Sequence, residues 1–570
     1  MPSNSDIAAV FEEIADLLEL QDANPFRVRA YRNAGRTLNG LAKDVAAMAK
    51  EGSDLTRIPG IGHDLAEKIV EIATTGRCQA LDKLRREVPP ALAELLKVPG
   101  LGPKRVKALY DALEVRSLAD VKKAARDGRI RDLQGFGEKT ERHILDVLAH
   151  RPLGEHRFKL AVAARHAGAL VEHLHDAPGI ERMAMAGSYR RARETVGDLD
   201  VLVTAEDGAA IIERFTGYGE VSEIVSRGTT RSTVILECGL QVDLRVVADE
   251  SFGAALHYFT GSKAHNIEVR RLGQQRGLKI NEYGVFKGRR RVAGATEESV
   301  FESVGLPFIP PELRENRGEI AAARAGRLPD LLTAKQLRGD LFLRAGTGRG
   351  ELERLAAAAA EAGLEYAVVC PPAGNEGMTA TQLRRLFDEI DRLKSGRSAA
   401  RLLKGVETSI DDEGRLGGDE VLLARAELVA TTVRTRLGLP RARQTERIRR
   451  ALGDPRLHVF VQPEVGEDGA AFDADMLEIV SAAKAYGRAL GLSAHPARAD
   501  LLDIHLQSAR EQGVPIALGS WAGAAGEIDY LRFSVGQARR GWLEAGDVLN
   551  TLGPDELLQA LRKGTDDGVG

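Results

Sequence analysis

Gly187-Ser188-Tyr189-Arg190-Arg191, followed by Gly197-Asp198-Leu199-Asp200-Val201-Leu202-Val203, is the stretch whose reading decides the fold of this chain. Residues two apart on a β-strand face the same side, so an extended segment here projects Asp198 and Asp200 together. Two carboxylates side by side call for a cation. Val201-Leu202-Val203 supplies the apolar run of a buried strand, and Gly197 lets the backbone approach a ligand closely just ahead of it. Upstream, Gly187 and Ser188 offer backbone N–H groups and a hydroxyl to a phosphate, while Arg190 and Arg191 add charge-assisted contacts. An Asp-x-Asp alone is common in surface loops; on a strand after Gly-Ser-x-Arg-Arg it reads as a metal-dependent nucleotidyl-transfer site.

A third carboxylate would complete a clamp in which two cations, Mg²⁺ or Mn²⁺ about 3.5–4 Å apart, stabilise the attacking and leaving oxygens of an in-line displacement. Asp243 is the candidate. It lies in a segment from Thr233 to Val247 that reads as a hairpin turning near Gly239, with Gln241, Asp243 and Arg245 on one face and Val242, Leu244 and Val246 on the other. Carboxylate oxygens suit hard cations, and the three acids lack the His and thiolate company that zinc prefers.

Three further segments share a pattern: Ile58-Pro59-Gly60-Ile61-Gly62, Val98-Pro99-Gly100-Leu101-Gly102 and Leu133-Gln134-Gly135-Phe136-Gly137. Each precedes an apolar helical pattern. The paired glycines permit a tight turn between helices and leave N–H groups free for a phosphate at the next helix start. Repetition at about forty residues argues against a chance turn. These are helix-hairpin-helix motifs, which hold the DNA backbone without reading its sequence.

Taken together, the ordered segments resemble the family X DNA polymerases. The resemblance rests on Gly187-Ser188-Tyr189-Arg190-Arg191, Gly197-Asp198-Leu199-Asp200, Val242-Asp243-Leu244-Arg245, Tyr258-Phe259-Thr260-Gly261-Ser262 and Gly277-Leu278-Lys279-Ile280-Asn281-Glu282-Tyr283-Gly284. It implies that Asp198 and Asp200 hold both metals, and that Asp243 holds the one activating the primer 3′-hydroxyl. It also implies that Gly187, Ser188, Arg191 and Gly197 form the triphosphate turn, and that Tyr258, Phe259 and Gly261 lie against the nucleotide sugar. Asn266 and Arg270, one helical turn apart, would reach the nascent pair and its template. Residues 23–34, basic and aromatic, resemble the lyase domain of that family, and the resemblance places Lys68 at the Schiff-base position. A desolvated lysine near other cations has a lowered pKa and acts as an amine nucleophile. Arg27, Asn33 and Asp64 stand where the family has lysines.

Beyond Arg317–Arg324, a charged and Ala-rich linker or connecting helix, strands and helices alternate. Tyr366–Val369, Leu402–Glu407, Val459–Val461 and Ile516–Gly519 read as buried strands, and Glu351–Glu361 and Met476–Leu490 as helices. The rhythm is that of a barrel of parallel strands, and it resembles the polymerase and histidinol phosphatase domain of bacterial family X enzymes, which carries a trinuclear metal centre. The ligands of that centre are largely replaced. Phe342 and Arg344 follow Asp340, Pro371-Pro372 stands for Asp-His, Glu407 survives, and Arg434, Gln462, Trp521 and Gly523 occupy later ligand positions. Aromatic, proline and guanidinium groups do not bind cations, so this domain is expected to be metal-free and catalytically silent, while His458, His495 and His505 read as structural.

The expected architecture is multidomain, α+β and α/β. Residues 1–85 form a lyase-like helical domain, 86–155 a second helix-hairpin-helix domain, 156–250 a nucleotidyltransferase palm with a mixed sheet, and 251–318 a thumb. A linker at 319–335 leads to a degenerate, distorted (β/α)7-type barrel at 336–570. A chain of 570 residues with 43% hydrophobic residues can bury several such cores. Its net charge of −3 gives no global nucleic-acid signature, so basic surface is local, as around Arg289-Arg290-Arg291. Cys78, Cys238 and Cys370 are too far apart for a zinc finger and fit a reducing compartment. With no long apolar run, the expectation is a cytoplasmic, nucleoid-associated monomer acting on gapped or primed DNA with deoxynucleoside triphosphates, beside other repair proteins. The rival readings are a nucleotidyltransferase acting on RNA or a small molecule, and a non-catalytic DNA-binding scaffold.

Overall fold

A computed structural model describes residues 4–21, 23–39, 41, 45–75, 77–87, 103–113, 115, 118–133, 136–137, 140–141, 144, 157–175, 177, 179–374, 377–393, 400–461, 472–493, 495 and 501–566. The chain divides into two compact units, Met1–His156 and Arg157–Gly570.

The first unit is helical, and its described helices share one apolar core. Asn4–Leu20 presents Ile7, Phe11, Ile14 and Leu18 at helical spacing to Val28 and Tyr31 of Pro25–Asn39. In the first hairpin motif, Ile58 and Ile61 are buried while Gly60 takes a left-handed φ of +83° that a side chain would strain. Ahead of Gly62 the space is open, at the start of the His63–Thr75 helix. In the third motif Phe136 is buried under the Arg105 guanidinium, and Gly137 accepts a hydrogen bond from the Glu141 amide. Gly100, Gly102 and Gly135 lie outside the described residues.

The second unit opens with a five-stranded palm sheet in the order Ile180–Met185, Asp198–Ala205, Gln241–Val246, Arg231–Leu236, Val221–Arg227. Only the Asp198–Ala205 and Gln241–Val246 pair is parallel, so the sheet is mixed. The expected hairpin is present, with Gly239 at φ +85° in its turn. Leu199, Val201 and Val203 meet Val242 and Leu244 in the core beneath, closed by the Leu160–His175 and Gly208–Thr216 helices.

A thumb follows. It contains the Phe252–Thr260 and Lys263–Gln275 helices and a three-stranded antiparallel sheet of Lys279–Asn281, Gly284–Lys287 and Arg290–Ala293. The expected linker is a packed part of this body. Ile320 and Ala323 of the Glu319–Arg324 helix join the thumb core, and buried Glu319 takes a 2.7 Å hydrogen bond with His265 Nδ1.

Seven parallel strands then run in sequential order from Gly339–Leu343 to Ile516–Gly519, almost closing a barrel. Asn550 stitches the seam: its side-chain N–H donates to Gly339 O and Leu518 O, and its oxygen accepts from Leu518 N. The helix expected over Met476–Leu490 ends at Ala485. Gly487, at φ +65°, turns the chain into the buried Ala489–Ser493 strand. A short apolar run fits a buried strand as well as a helix, which is why periodicity did not separate the two.

Candidate active site

Alternation and register together build the site. Asp198 and Asp200 share one face of their strand, and parallel pairing sets Asp200 opposite Asp243 and Asp198 opposite Gln241. A slip of one residue would send Asp243 into the core, but Val242 and Leu244 pin the register from below. Asp243 is buried and well held, its oxygens accepting from Thr233 Oγ1 at 2.6 Å and Gln241 Nε2 at 2.9 Å, with Arg231 at 3.4 Å.

The electrostatics are frustrated as they stand. Burial, followed by the neighbouring Asp198 and Asp243 charges, pushes the Asp200 carboxyl up to about 7. Burial and Asp243 likewise raise Asp198. Among the described residues no group of three or more acids, histidines or cysteines stands close enough together to hold a metal ion as placed. The donors nonetheless fit one: all three are carboxylates, and the charge that is disfavoured on Asp198 and Asp200 is what a divalent cation would relieve.

The adjoining turn explains its glycine. Gly187 adopts φ +63°, and a Cβ there would stand 2.4 Å from Asp200 Oδ2, so a side chain and the carboxylate exclude each other. Ser188 follows in the Gly187–Arg190 turn, half-buried, and its carbonyl accepts from Arg193 N. Gly197 is half-buried just ahead of Asp198.

The two arginines do not act alike. Arg190 does not reach for phosphate as expected: its guanidinium grips Glu297 through two contacts of 2.9 and 2.5 Å and donates to Thr260 Oγ1, binding palm to thumb. Paired guanidinium and carboxylate planes satisfy each other when buried, and Arg314 shares the same carboxylate. Arg191 donates to Thr260 O at 2.6 Å and Glu315 at 3.0 Å.

Tyr258 and Phe259 end the Phe252–Thr260 helix half-buried, edge to face, with Arg245 stacked 4.3 Å over the Phe259 ring. Gly261, at φ +72°, and Ser262 pass the chain to the Lys263–Gln275 helix, where Asn266 donates to Tyr258 O and Arg270 to Asn266 O. The Asn266 Oδ1 is buried without a hydrogen-bond partner.

Lys68 departs from expectation. Its ammonium is paired with Asp64 at 2.5 Å. Burial pulls its pKa down, but the Asp64 hydrogen bond and the Tyr31 and Asp64 charges prevail, so the net direction is upward. The triad of positions where lysines were replaced includes this very Asp64, which accounts for the reversal.

In the barrel, the positions where the resemblance expects metal ligands make other contacts. Phe342 stacks flat on Trp521 at 4.5 Å, with Arg344 over the indole. Arg434 donates to buried Glu407 at 2.7 Å, and Asp340 accepts from the Ser520 hydroxyl and amide. Pro371 and Pro372 accept backbone hydrogen bonds from Glu407 and Met378. Gln462 lies outside the described residues.

What sequence reasoning missed is the ring of groups behind the turn: Glu297, Glu315, Asp503 and Arg540. Their positions in sequence are remote, and no local pattern marks them as partners.

A mixed sheet with its acids at the head of two parallel central strands, beside a Gly-Ser turn, is the palm of a nucleotidyltransferase. Residues 255–315 match the DNA polymerase beta thumb, residues 2–78 a helix-hairpin-helix domain and residues 92–149 a SAM-like helix-hairpin-helix tandem. The chain is 33% identical to the DNA polymerase/3′-5′ exonuclease PolX of Bacillus subtilis over 98% of its own length and 99% of that protein's. It is 28% identical to DNA polymerase lambda of Rattus norvegicus over 55% of its length and 56% of that chain. It is 26% identical to DNA polymerase lambda of Arabidopsis thaliana over 46% and 53%. The chain belongs to the family X DNA polymerases. No described helix is long and apolar enough to cross a membrane.

Proposed function

We propose that the chain fills short gaps during DNA repair, adding deoxynucleotides to a primer 3′ end at Asp198, Asp200 and Asp243. The observation that carries this is the parallel register setting Asp200 opposite Asp243 on the two central strands. The three carboxylates would hold Mg²⁺ or Mn²⁺, which stabilise negative charge on the attacking and leaving oxygens. Arg191 and the amides around Gly187 and Ser188 would receive the triphosphate, and Tyr258, Phe259 and Gly261 would bound its sugar. Asn266, with its unpartnered oxygen, and Arg270 would meet the base pair. Gapped DNA would be held through the hairpin glycines Gly60, Gly62, Gly100, Gly102, Gly135 and Gly137, and the work would take place at the cytoplasmic nucleoid where that DNA lies. The palm is taken as 156–250, the thumb as 251–318 and the barrel as 336–570.

The barrel is read as a catalytically silent scaffold, supported by the Phe342–Trp521 stack and the Arg434–Glu407 pair at its former ligand positions. Lyase chemistry at Lys68 is left outside the proposal, because the ammonium is committed to Asp64.

Primer extension on gapped DNA tests the assignment. Asp200→Ala and Asp243→Ala are each expected to lower the extension rate by about a thousandfold or more, as loss of a carboxylate from a two-cation clamp does. Equal extension by wild type and both variants would overturn it.

A further inference from the structure

The barrel's Leu531–Arg540 helix lies directly behind the nucleotide turn. Phe533, buried, joins the palm core, and Gln537 donates to Ala192 O at 2.5 Å. Ala192 is a non-glycine residue at φ +52°, a left-handed conformation that persists only where its surroundings hold it. A Cβ on Gly536 would come 2.9 Å from the Ala192 methyl, so the barrel helix and the turn are packed to contact.

Arg540 goes further. It is 3% exposed. One of its terminal nitrogens donates to Arg191 O at 2.9 Å and to Glu315 Oε1 at 2.9 Å, the same oxygen that accepts from Arg191 Nε at 3.0 Å. Its other terminal nitrogen is paired with Asp503, which also receives two contacts from Arg317. Burial would raise Glu315, but Arg191, Arg540 and Arg193 outweigh it and hold the carboxyl down at about 2. Three guanidiniums, buried Arg191 and Arg540 and half-buried Arg317, thus face two carboxylates, Glu315 and Asp503.

We propose that Arg540 is a positioning residue for the polymerase reaction: by holding the Arg191 carbonyl and sharing Glu315 with its guanidinium, it sets where Arg191 stands and so the affinity for the deoxynucleoside triphosphate. The retained barrel therefore acts on nucleotide binding without touching the nucleotide. This rests on reading Arg191 as a triphosphate contact.

Single-nucleotide gap filling by the full chain tests it, comparing wild type with Arg540→Met, Arg540→Lys and Gln537→Ala. Arg540→Met is expected to raise the KM for the nucleotide about tenfold while kcat stays within about threefold, the pattern of lost ground-state binding. The lysine variant, which keeps the charge, recovers part of the loss, and Gln537→Ala raises KM by a smaller factor. An Arg540→Met chain that melts like wild type with unchanged nucleotide KM overturns the positioning role, as does a loss confined to kcat. Should Arg540→Met fail to fold, wild-type KM in both other variants overturns it equally. A wild type that does not extend the primer counts instead against the assignment of the palm site.

Discussion

At the scale of single residues, Gly187 is constrained twice over, in its backbone and in the space beside it. Its φ of +63° and the 2.4 Å approach of Asp200 Oδ2 to any Cβ act together. Alanine there would pay a backbone cost of about 1 kcal/mol and push the carboxylate off its place. Gly187→Ala is expected to lower kcat/KM for nucleotide addition by about tenfold or more, since small displacements of positioned groups are costly, while the melting temperature moves by only a few degrees. Wild-type turnover in that variant would show that the close approach is not needed. The paired acids were legible because strand alternation depends only on neighbours: Asp198 and Asp200 share a face whatever the rest of the chain does. Arg190 was not. Its partner Glu297 lies 107 residues away, and no local pattern tells a guanidinium that faces phosphate from one that closes a palm on a thumb.

At the scale of elements, the barrel strands carry their own pH dependence. His458, just before the Val459–Val461 strand, accepts a hydrogen bond at Nδ1 from the Val429 amide at 2.9 Å and so ties two strands together. That bond requires the neutral ring. Burial, then Arg488, holds its pKa down at about 4, against about 6.5 for an unfolded histidine. As pH falls the unfolded chain therefore takes up the proton first. The stabilisation is complete above about pH 6.5 and is lost progressively toward pH 4, at most about 3 kcal/mol for this one group. Urea midpoints at pH 7 and pH 5 check this, with His458→Asn expected to show a shallower fall, His505 retaining its own share because it too is held at about 4. An identical fall in wild type and variant would exclude His458 as the source. Buried parallel strands were only partly readable in advance. Tyr366–Val369 stands out as an apolar run, whereas Ala489–Ser493 hides behind Ala482, Ala483 and Ala485, whose composition favours a helix right up to Gly487.

At the scale of the whole molecule, one two-cation centre is expected and no second. A full-length chain carrying Asp198→Asn, Asp200→Asn and Asp243→Asn should retain no stoichiometric Mn²⁺ and degrade no primer from its 3′ end; metal bound in that variant would restore a catalytic role to the barrel. The distant pairs that join barrel to palm explain why this level was the least legible. Arg540 meets Glu315 across 225 residues and Arg191 across 349, so no local window of sequence holds both partners. The same separation matters while the chain is being made. A nascent chain carries all three aspartates, the nucleotide turn and the thumb long before the ribosome reaches Gln537, Arg540 and the seam residue Asn550. Since Gln537 and Arg540 hold the turn's backbone at Ala192 and Arg191, a product ended before them would carry all three aspartates while that stretch of backbone lacked its support.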